Sequence, residues 1–111
     1  MTDLANLAVL ARLAATIAAR DGADPTASWT AKLLADPTLA ARKLGEEALE
    51  TVIASMQDDS AALTSEAADL VYHLLALLAA KGVALDDVLA ELARREGRSG
   101  LDEKAARDGN P

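Results

Sequence analysis

Residues 43–82 read KLGEEALETVIASMQDDSAALTSEAADLVYHLLALLAAKG. Two runs rich in Ala and Leu flank the polar triplet Asp58, Asp59 and Ser60. In both runs the apolar residues recur three and four apart, the period of an amphipathic helix. Leu44, Ala48, Leu49, Val52, Ile53 and Met56 form the apolar arc of the first; Leu63, Ala67, Leu70, Val71, Leu74 and Leu78 form that of the second. The spacing predicts helices from Pro37 to about Gln57 and from about Ala61 to Lys81. Ser60 is a plausible cap of the second and Gly82 its stop. So tight a connection makes the two helices antiparallel neighbours.

Outward from this pair, Leu4, Leu7, Leu10, Leu13 or Ala14, and Ile17 mark a first helix, capped by Thr2 or Asp3 and closed by Gly22. DGADPTAS reads as a loop, because Pro25 forces Asp24 out of the helical region. Ser28 caps a short helix, WTAKLLA. The pair Asp36-Pro37 ends it and starts the next, since proline fits a first helical turn. Gly45, inside a helix, is either a site of close backbone approach or a harmless glycine. Beyond Gly82, Val83 and Val88 stand at the positions of a hydrophobic staple, with Asp87 at the third helical position and Ala84 a poor cap. That helix ends near Arg95. Residues 96–111 form a polar tail with at most a short helical turn at Asp102–Arg107. Residues 1–111 read as one domain, with 1–22 an N-terminal helix.

Composition agrees. Hydrophobic residues make up 51% of the chain, too many for a disordered polymer. Of these 57, 27 are Ala and 19 Leu, Val and Ile total 7, and Trp29 and Tyr72 are the only aromatics. Strands favour β-branched and aromatic residues, and helices favour Ala and Leu. The expected fold is all-α: an antiparallel bundle of about four to five helices. A net charge of −7 argues against nucleic acid or an anionic membrane as partner. It admits a polyphosphate substrate if a divalent cation stands between. Without cysteine there is neither a disulfide framework nor a thiolate metal site. The N-terminus carries Asp3, Asn6 and Arg12 where a secretory signal would be basic and then continuously apolar. The densest apolar stretch, Leu70 to Ala80, is far short of the ~20 residues of a membrane span. A soluble, cytoplasmic protein is expected.

Two acidic clusters carry the chemistry. Glu46, Glu47 and Glu50 lie on the first helix of the central pair, Glu66 and Asp69 on the second. Residues three or four apart share a helix face. At ~1.5 Å per residue both clusters lie on the order of 10–14 Å from the connecting turn, so their heights match. Glu46 and Glu50 border one apolar arc, and Glu66, Asp69 and His73 border the other, so the clusters can meet along the edge of the seam. Carboxylates brought together repel unless protonated or bound to a cation. Mg²⁺ takes carboxylates, waters and phosphates as ligands. One reading is therefore a Mg²⁺ site that receives a polyphosphate. The other is a pair of solvated acidic faces with Arg42, Lys43 and water as partners. His73 is read as a helix-edge histidine hydrogen-bonded locally, ahead of a ligand or phosphate contact. Trp29 is read as a core or interface anchor rather than a base-stacking platform. A single His excludes the paired Glu-x-x-His motifs of a di-iron bundle. Arg94, Arg95, Arg98, Lys104 and Arg107 make the C-terminal end basic, either as charge balance at a helix end or as a phosphate-gripping tail.

Glu46-Glu47-x-x-Glu50 followed by Glu66-x-x-Asp69 resembles the metal motif of the all-α nucleotide pyrophosphohydrolases, a group that includes MazG-type and dimeric dUTPase enzymes. The flanking segments SWTAKLL, KLGEEALETVIA, EAADLVYHLLALLAAKGVALDDVLAELARR and RSGLDEKAAR resemble the phosphoribosyl-ATP pyrophosphohydrolase family. The resemblance runs from about Ser28 to Arg107. It implies hydrolysis of 1-(5-phosphoribosyl)-ATP to the corresponding AMP and pyrophosphate, the second step of histidine biosynthesis. By motif position it implies Glu47, Glu50, Glu66 and Asp69 as metal ligands for Mg²⁺, and Glu46 as a further ligand or water-positioning base. Lys32, Lys43, Arg98 and Lys104 fall in motif segments and are implied as phosphate contacts. The sequence departs from the family where Trp29 replaces an expected Tyr and Ala84 an expected Ser, both away from the acidic motif. The resemblance also implies a homodimer. Ala-rich faces bury little area each, so a lone chain of this size is only marginally stable. Basic residues from both subunits are expected to complete each site. Two other functions fit the same residues: a housecleaning (d)NTP pyrophosphohydrolase of the same fold, and a non-catalytic helical dimerisation module.

Overall fold

The computed structural model of the protein describes residues 2–97 and 100–107. Among them there are six helices and no strand: α1 (Leu4–Ala19), α2 (Trp29–Ala35), α3 (Pro37–Ser55), α4 (Ser60–Ala80), α5 (Leu85–Arg94) and α6 (Gly100–Arg107). The all-α expectation holds.

Local chemistry sets the helix starts. Asp3 caps α1 through Ala5 N–H, Ser28 caps α2 through Ala31 N–H, and Asp36 caps α3 through Leu39 N–H. Such side-chain acceptors satisfy amides that the first helical turn leaves without partners. At α4 the cap is Asp59, whose carboxylate accepts from Ala62 N–H at 3.0 Å. The helix therefore begins one residue earlier than Ser60 as cap would allow. Ala84 offers α5 no side-chain acceptor. Gly22, Gly82 and Gly97 all have positive φ, and Gly22 and Gly82 stand where the sequence places the ends of α1 and α4. The tail departs from its expectation, since residues 100–107 form two turns of helix rather than one.

α3 and α4 form an antiparallel hairpin. α2 packs against both, and α1 lies on α4. Leu33 of α2, Ala40 of α3 and Ala76 of α4 make the fully enclosed centre, surrounded by Leu39, Tyr72 and Leu77. The rotation of α3 differs from the expected one. Its buried residues are Ala40, Glu47 and Ala54. Leu49, Val52, Ile53 and Met56, expected to face α4, point outward, with Leu49 61% and Met56 84% exposed. Small side chains at positions 40 and 54 let the α3 backbone approach its neighbours on that side. Among the described residues nothing covers this bulky arc.

The whole chain, including α5 and α6, which add little to this packing, is also more open than a compact monomer. The accessible surface is 7784 Å², against about 5,800 Å² for a compact monomer of this mass. The radius of gyration is 16.2 Å, against about 13 Å for a compact domain of this length. α4 is long and apolar enough to cross a membrane by length and composition alone. It carries Glu66 and Asp69 near its middle and packs along α3, which makes it the central helix of the bundle.

Candidate metal centre

The α3–α4 seam brings carboxylates from both helices together. One oxygen each of Glu47, Glu66 and Asp69 lie within 4.8 Å of one another. Glu47 is buried and Glu66 half-buried, while Asp69 opens to solvent. Glu50 joins them from the next turn of α3, interacting with both Glu47 and Glu66. Glu47 and Glu66 thus lie in the seam itself rather than along its edge, because the rotation of α3 turns Glu47 inward.

Thr51 fastens the hairpin at this level. Its hydroxyl lies 2.7 Å from the Glu47 carbonyl in its own helix and 3.2 Å from the Glu66 carbonyl across the seam. Sequence reasoning missed this residue. The available signal was a lone hydroxyl four residues after Glu47 in an otherwise apolar run.

Burial pushes the Glu47 carboxyl above its ordinary range, and the charges of Glu50 and Asp69 push it further. Glu66 is raised for the same first reason, burial, and then by the neighbouring carboxyl group of Glu50 and its charge. Among the described residues, Glu47 Oε2 and Glu66 Oε2 are buried without a hydrogen-bond partner. A buried oxygen left this way carries its full desolvation penalty. Carboxylate oxygens from two helices, two of them lacking donors, are the ligand set that a hard divalent cation takes. The residues present therefore fit a Mg²⁺ ion.

Glu46 takes a different course. It is exposed and turned back along α3, receiving a hydrogen bond from Lys43 Nζ at 2.8 Å and lying 3.9 Å from Arg42 Nε. The Lys43 contact holds Glu46 below the usual carboxylate range and raises Lys43 in turn. Lys32 lies on α2 with its ammonium 5.9 Å from the centre of the Trp29 ring. Lys104 is exposed on α6. Arg98 lies outside the described residues.

His73 is buried one turn beyond Asp69 and uses both ring nitrogens. Nδ1 is 2.8 Å from the Asp69 carbonyl oxygen, and Nε2 accepts from Trp29 Nε1–H at 3.4 Å. That pattern assigns the proton to Nδ1. Tyr72 packs edge-on to the His73 ring at 4.9 Å between centroids and hydrogen-bonds Thr30 of α2. The histidine is locally satisfied, and the α2–α4 contact is a polar-aromatic network that periodicity alone does not disclose.

Fold and cluster together define a class: an all-α protein whose central helix pair carries a carboxylate cluster that could hold a metal ion. The chain belongs to the phosphoribosyl-ATP pyrophosphohydrolase family, which it matches over residues 10–96. It is 65% identical over 102 residues to the phosphoribosyl-ATP pyrophosphatase of Dinoroseobacter shibae, covering 91% of this chain and 100% of that protein. The phosphoribosyl-ATP pyrophosphatase of Caulobacter vibrioides is 65% identical over 99 residues, covering 89% of this chain and 92% of that protein. That of Ruegeria pomeroyi is 61% identical over 102 residues, covering 91% and 97%. The family match begins in α1, earlier than the motif segments, and ends before the tail.

Proposed function

We propose that the protein hydrolyses 1-(5-phosphoribosyl)-ATP across its α–β phosphoanhydride, giving 1-(5-phosphoribosyl)-AMP and pyrophosphate in the cytoplasmic route to histidine. The observation that carries this reading beyond family membership is the pair of donorless carboxylate oxygens, on Glu47 and Glu66, in the α3–α4 seam. A solvated acidic face has no reason to bury them.

Glu47, Glu50, Glu66 and Asp69 would hold Mg²⁺. When bound, the ion neutralises phosphate charge and lowers the pKa of water. The chain's own residues do the rest. Lys32, Lys43, Arg98 and Lys104 bind phosphate oxygens and keep the anhydride in line for attack. Glu46, held ionised by Lys43, would swing from that lysine toward the cluster to orient the attacking water by accepting its hydrogen bond. A new bond forms from the water oxygen to phosphorus, the bridging P–O bond breaks, pyrophosphate leaves with its electron pair, and the proton lost by the water passes to solvent. Pyrophosphate release from phosphoribosyl-ATP, with and without Mg²⁺ and against dNTPs, tests the reading. Faster turnover of dNTPs would favour the housecleaning alternative, and no release from any nucleotide would leave only a dimerisation module.

The assembly is a homodimer on this reading. The stripe Leu49, Val52, Ile53 and Met56 on α3 continues toward Val71 and Leu74, exposed on α4. The surplus, about 2,000 Å² per chain, exceeds the roughly 800 Å² per partner of a standard interface and falls in the range of obligate homodimers, which bury about 2,000–5,000 Å² over both partners. Two-fold pairing is the common solution. It sets α3 of one copy near the acidic seam of the other, where the partner's basic residues can complete the site. A monomer mass by light scattering at micromolar concentration in a fully active sample refutes the dimer.

A further inference from the structure

We infer that the face of Trp29 is the seat of the substrate's purine base. The inference rests on the activity proposed above and names a recognition element for it.

Trp29 opens α2 and is 43% exposed, although it is the only tryptophan in a chain with few aromatics. It is not loose. Its Nε1–H is bound to His73 Nε2, and His73 Nδ1 is bound to the carbonyl of Asp69, a member of the acidic cluster. One ring edge is therefore anchored through two hydrogen bonds to the helix turn that presents Asp69. The remainder of the ring faces out into a cavity of about 450 Å³ lined by Pro25, Thr26, Ala27, Ser28 and Lys32.

A core anchor would be covered, and this ring is not. Lys32, one helical turn along the same face, is exposed and lies over the ring, with no carboxylate partner among the described residues. The ammonium lies over the ring, 5.9 Å from its centre, so a base that takes this face displaces it, and a flat π surface with a displaceable cation matches the two ends of a nucleotide. The base takes the ring by stacking, and the ammonium turns to the phosphates. A fixed ring stacks without first losing rotamer freedom, so the anchoring to His73 favours binding. Stacking one base on an aromatic side chain changes affinity by roughly 5- to 150-fold.

The sole tryptophan makes the test direct. Indole emission of the full-length wild type is titrated with AMP, ribose 5-phosphate and inorganic pyrophosphate, with Mg²⁺ present. Saturable quenching by AMP alone is expected. Steady-state kinetics of Trp29→Phe and Trp29→Leu then separate the ring face from the N–H bond, which both variants lose. Phe should keep KM for phosphoribosyl-ATP within threefold of the wild type, and Leu should raise it about tenfold or more, with kcat little changed in either. Equal effects of Phe and Leu overturn the proposal. So does emission that follows protein concentration but ignores nucleotide, which would make Trp29 a contact between copies. A wild type that releases pyrophosphate without quenching by AMP loses the base seat and keeps the activity. AMP-specific quenching without pyrophosphate release does the reverse.

Discussion

Replacing Glu47 by Gln should make the cation-free protein more stable. An oxygen of Glu47 lies within 4.8 Å of oxygens of both Glu66 and Asp69. Two unit charges at that separation repel by about 1 kcal/mol in water-like surroundings and about 3.5 kcal/mol at an effective dielectric of ~20. Glu47 is buried, with Oε2 unpartnered, so solvent does little to relieve it. Glutamine has the same shape and no charge, and its amide can donate to the orphaned Glu66 oxygen. A net gain of about 1–3 kcal/mol is expected at neutral pH, or roughly 4–12 °C in Tm for a chain of this length. The sign of the pH dependence follows from burial and neighbouring charge holding Glu47 above its ordinary 4.5. Its contribution is stabilising while protonated, below about 4.5, and is lost as pH rises through the raised value. The gap between variant and wild type should therefore narrow as pH falls toward 4.5. Saturating Mg²⁺ should reverse the ranking, because a cation at a thousandfold its Kd adds about 4.1 kcal/mol to a protein that binds it and little to the variant. The assay is denaturation followed by far-UV circular dichroism at one protein concentration, in chelator and in Mg²⁺. A variant less stable than the wild type in chelator refutes the repulsion argument. Equal stabilisation of both by Mg²⁺ removes Glu47 from the ligand set.

Thr51→Val keeps the shape in the seam and deletes the hydroxyl between the Glu47 and Glu66 carbonyls; about 1 kcal/mol of stability and roughly tenfold in Mg²⁺ affinity should go. Thr51→Ser should restore both, as read by thermal melts and Mn²⁺ binding. Gly45→Ala should raise stability by about 0.5–1 kcal/mol, since an added Cβ meets nothing within 4 Å and the position is helical; destabilisation in a urea melt would mean that a second copy packs there. Truncation after Arg95 should cost most of the pyrophosphate release while circular dichroism loses only the eight residues of α6; an active truncated enzyme would make the tail a solvated appendage.

The fold was legible because its signals are local. Ser28, Asp36 and Pro37 announce the α2–α3 junction, and periodicity alone gives α1, α3 and α4. Glu47, Glu66 and Asp69 were findable because helical rise sets their heights. Azimuth was not. The hydrophobic arc of α3 is broad, and hydrophobicity cannot tell an interior face from one reserved for another surface. Ala40 and Ala54 win the inward side by being small, and Glu47 goes in with them. The network of Thr30, Tyr72, His73 and Trp29 joins residues 42 to 44 positions apart, a separation at which pattern reading has no purchase. α6 was underestimated because its sequence is polar and its first residue is glycine.

The three-sided character of α3 constrains how this family can change. Its inward Ala40 and Ala54 are buried, where a larger side chain would overpack, its acidic positions would be held to one chemistry if they take a cation, and its outward Leu49, Val52, Ile53 and Met56 stay apolar if they meet a partner. Most helices in small proteins keep one tolerant, solvent-facing side where substitutions accumulate with a period near 3.6. On α3 that side shrinks to a few positions around Arg42 and Gly45. Substitutions are therefore expected to be borne more easily in α1, the 20–28 loop and α5 than along α3, the rod at the centre of the fold.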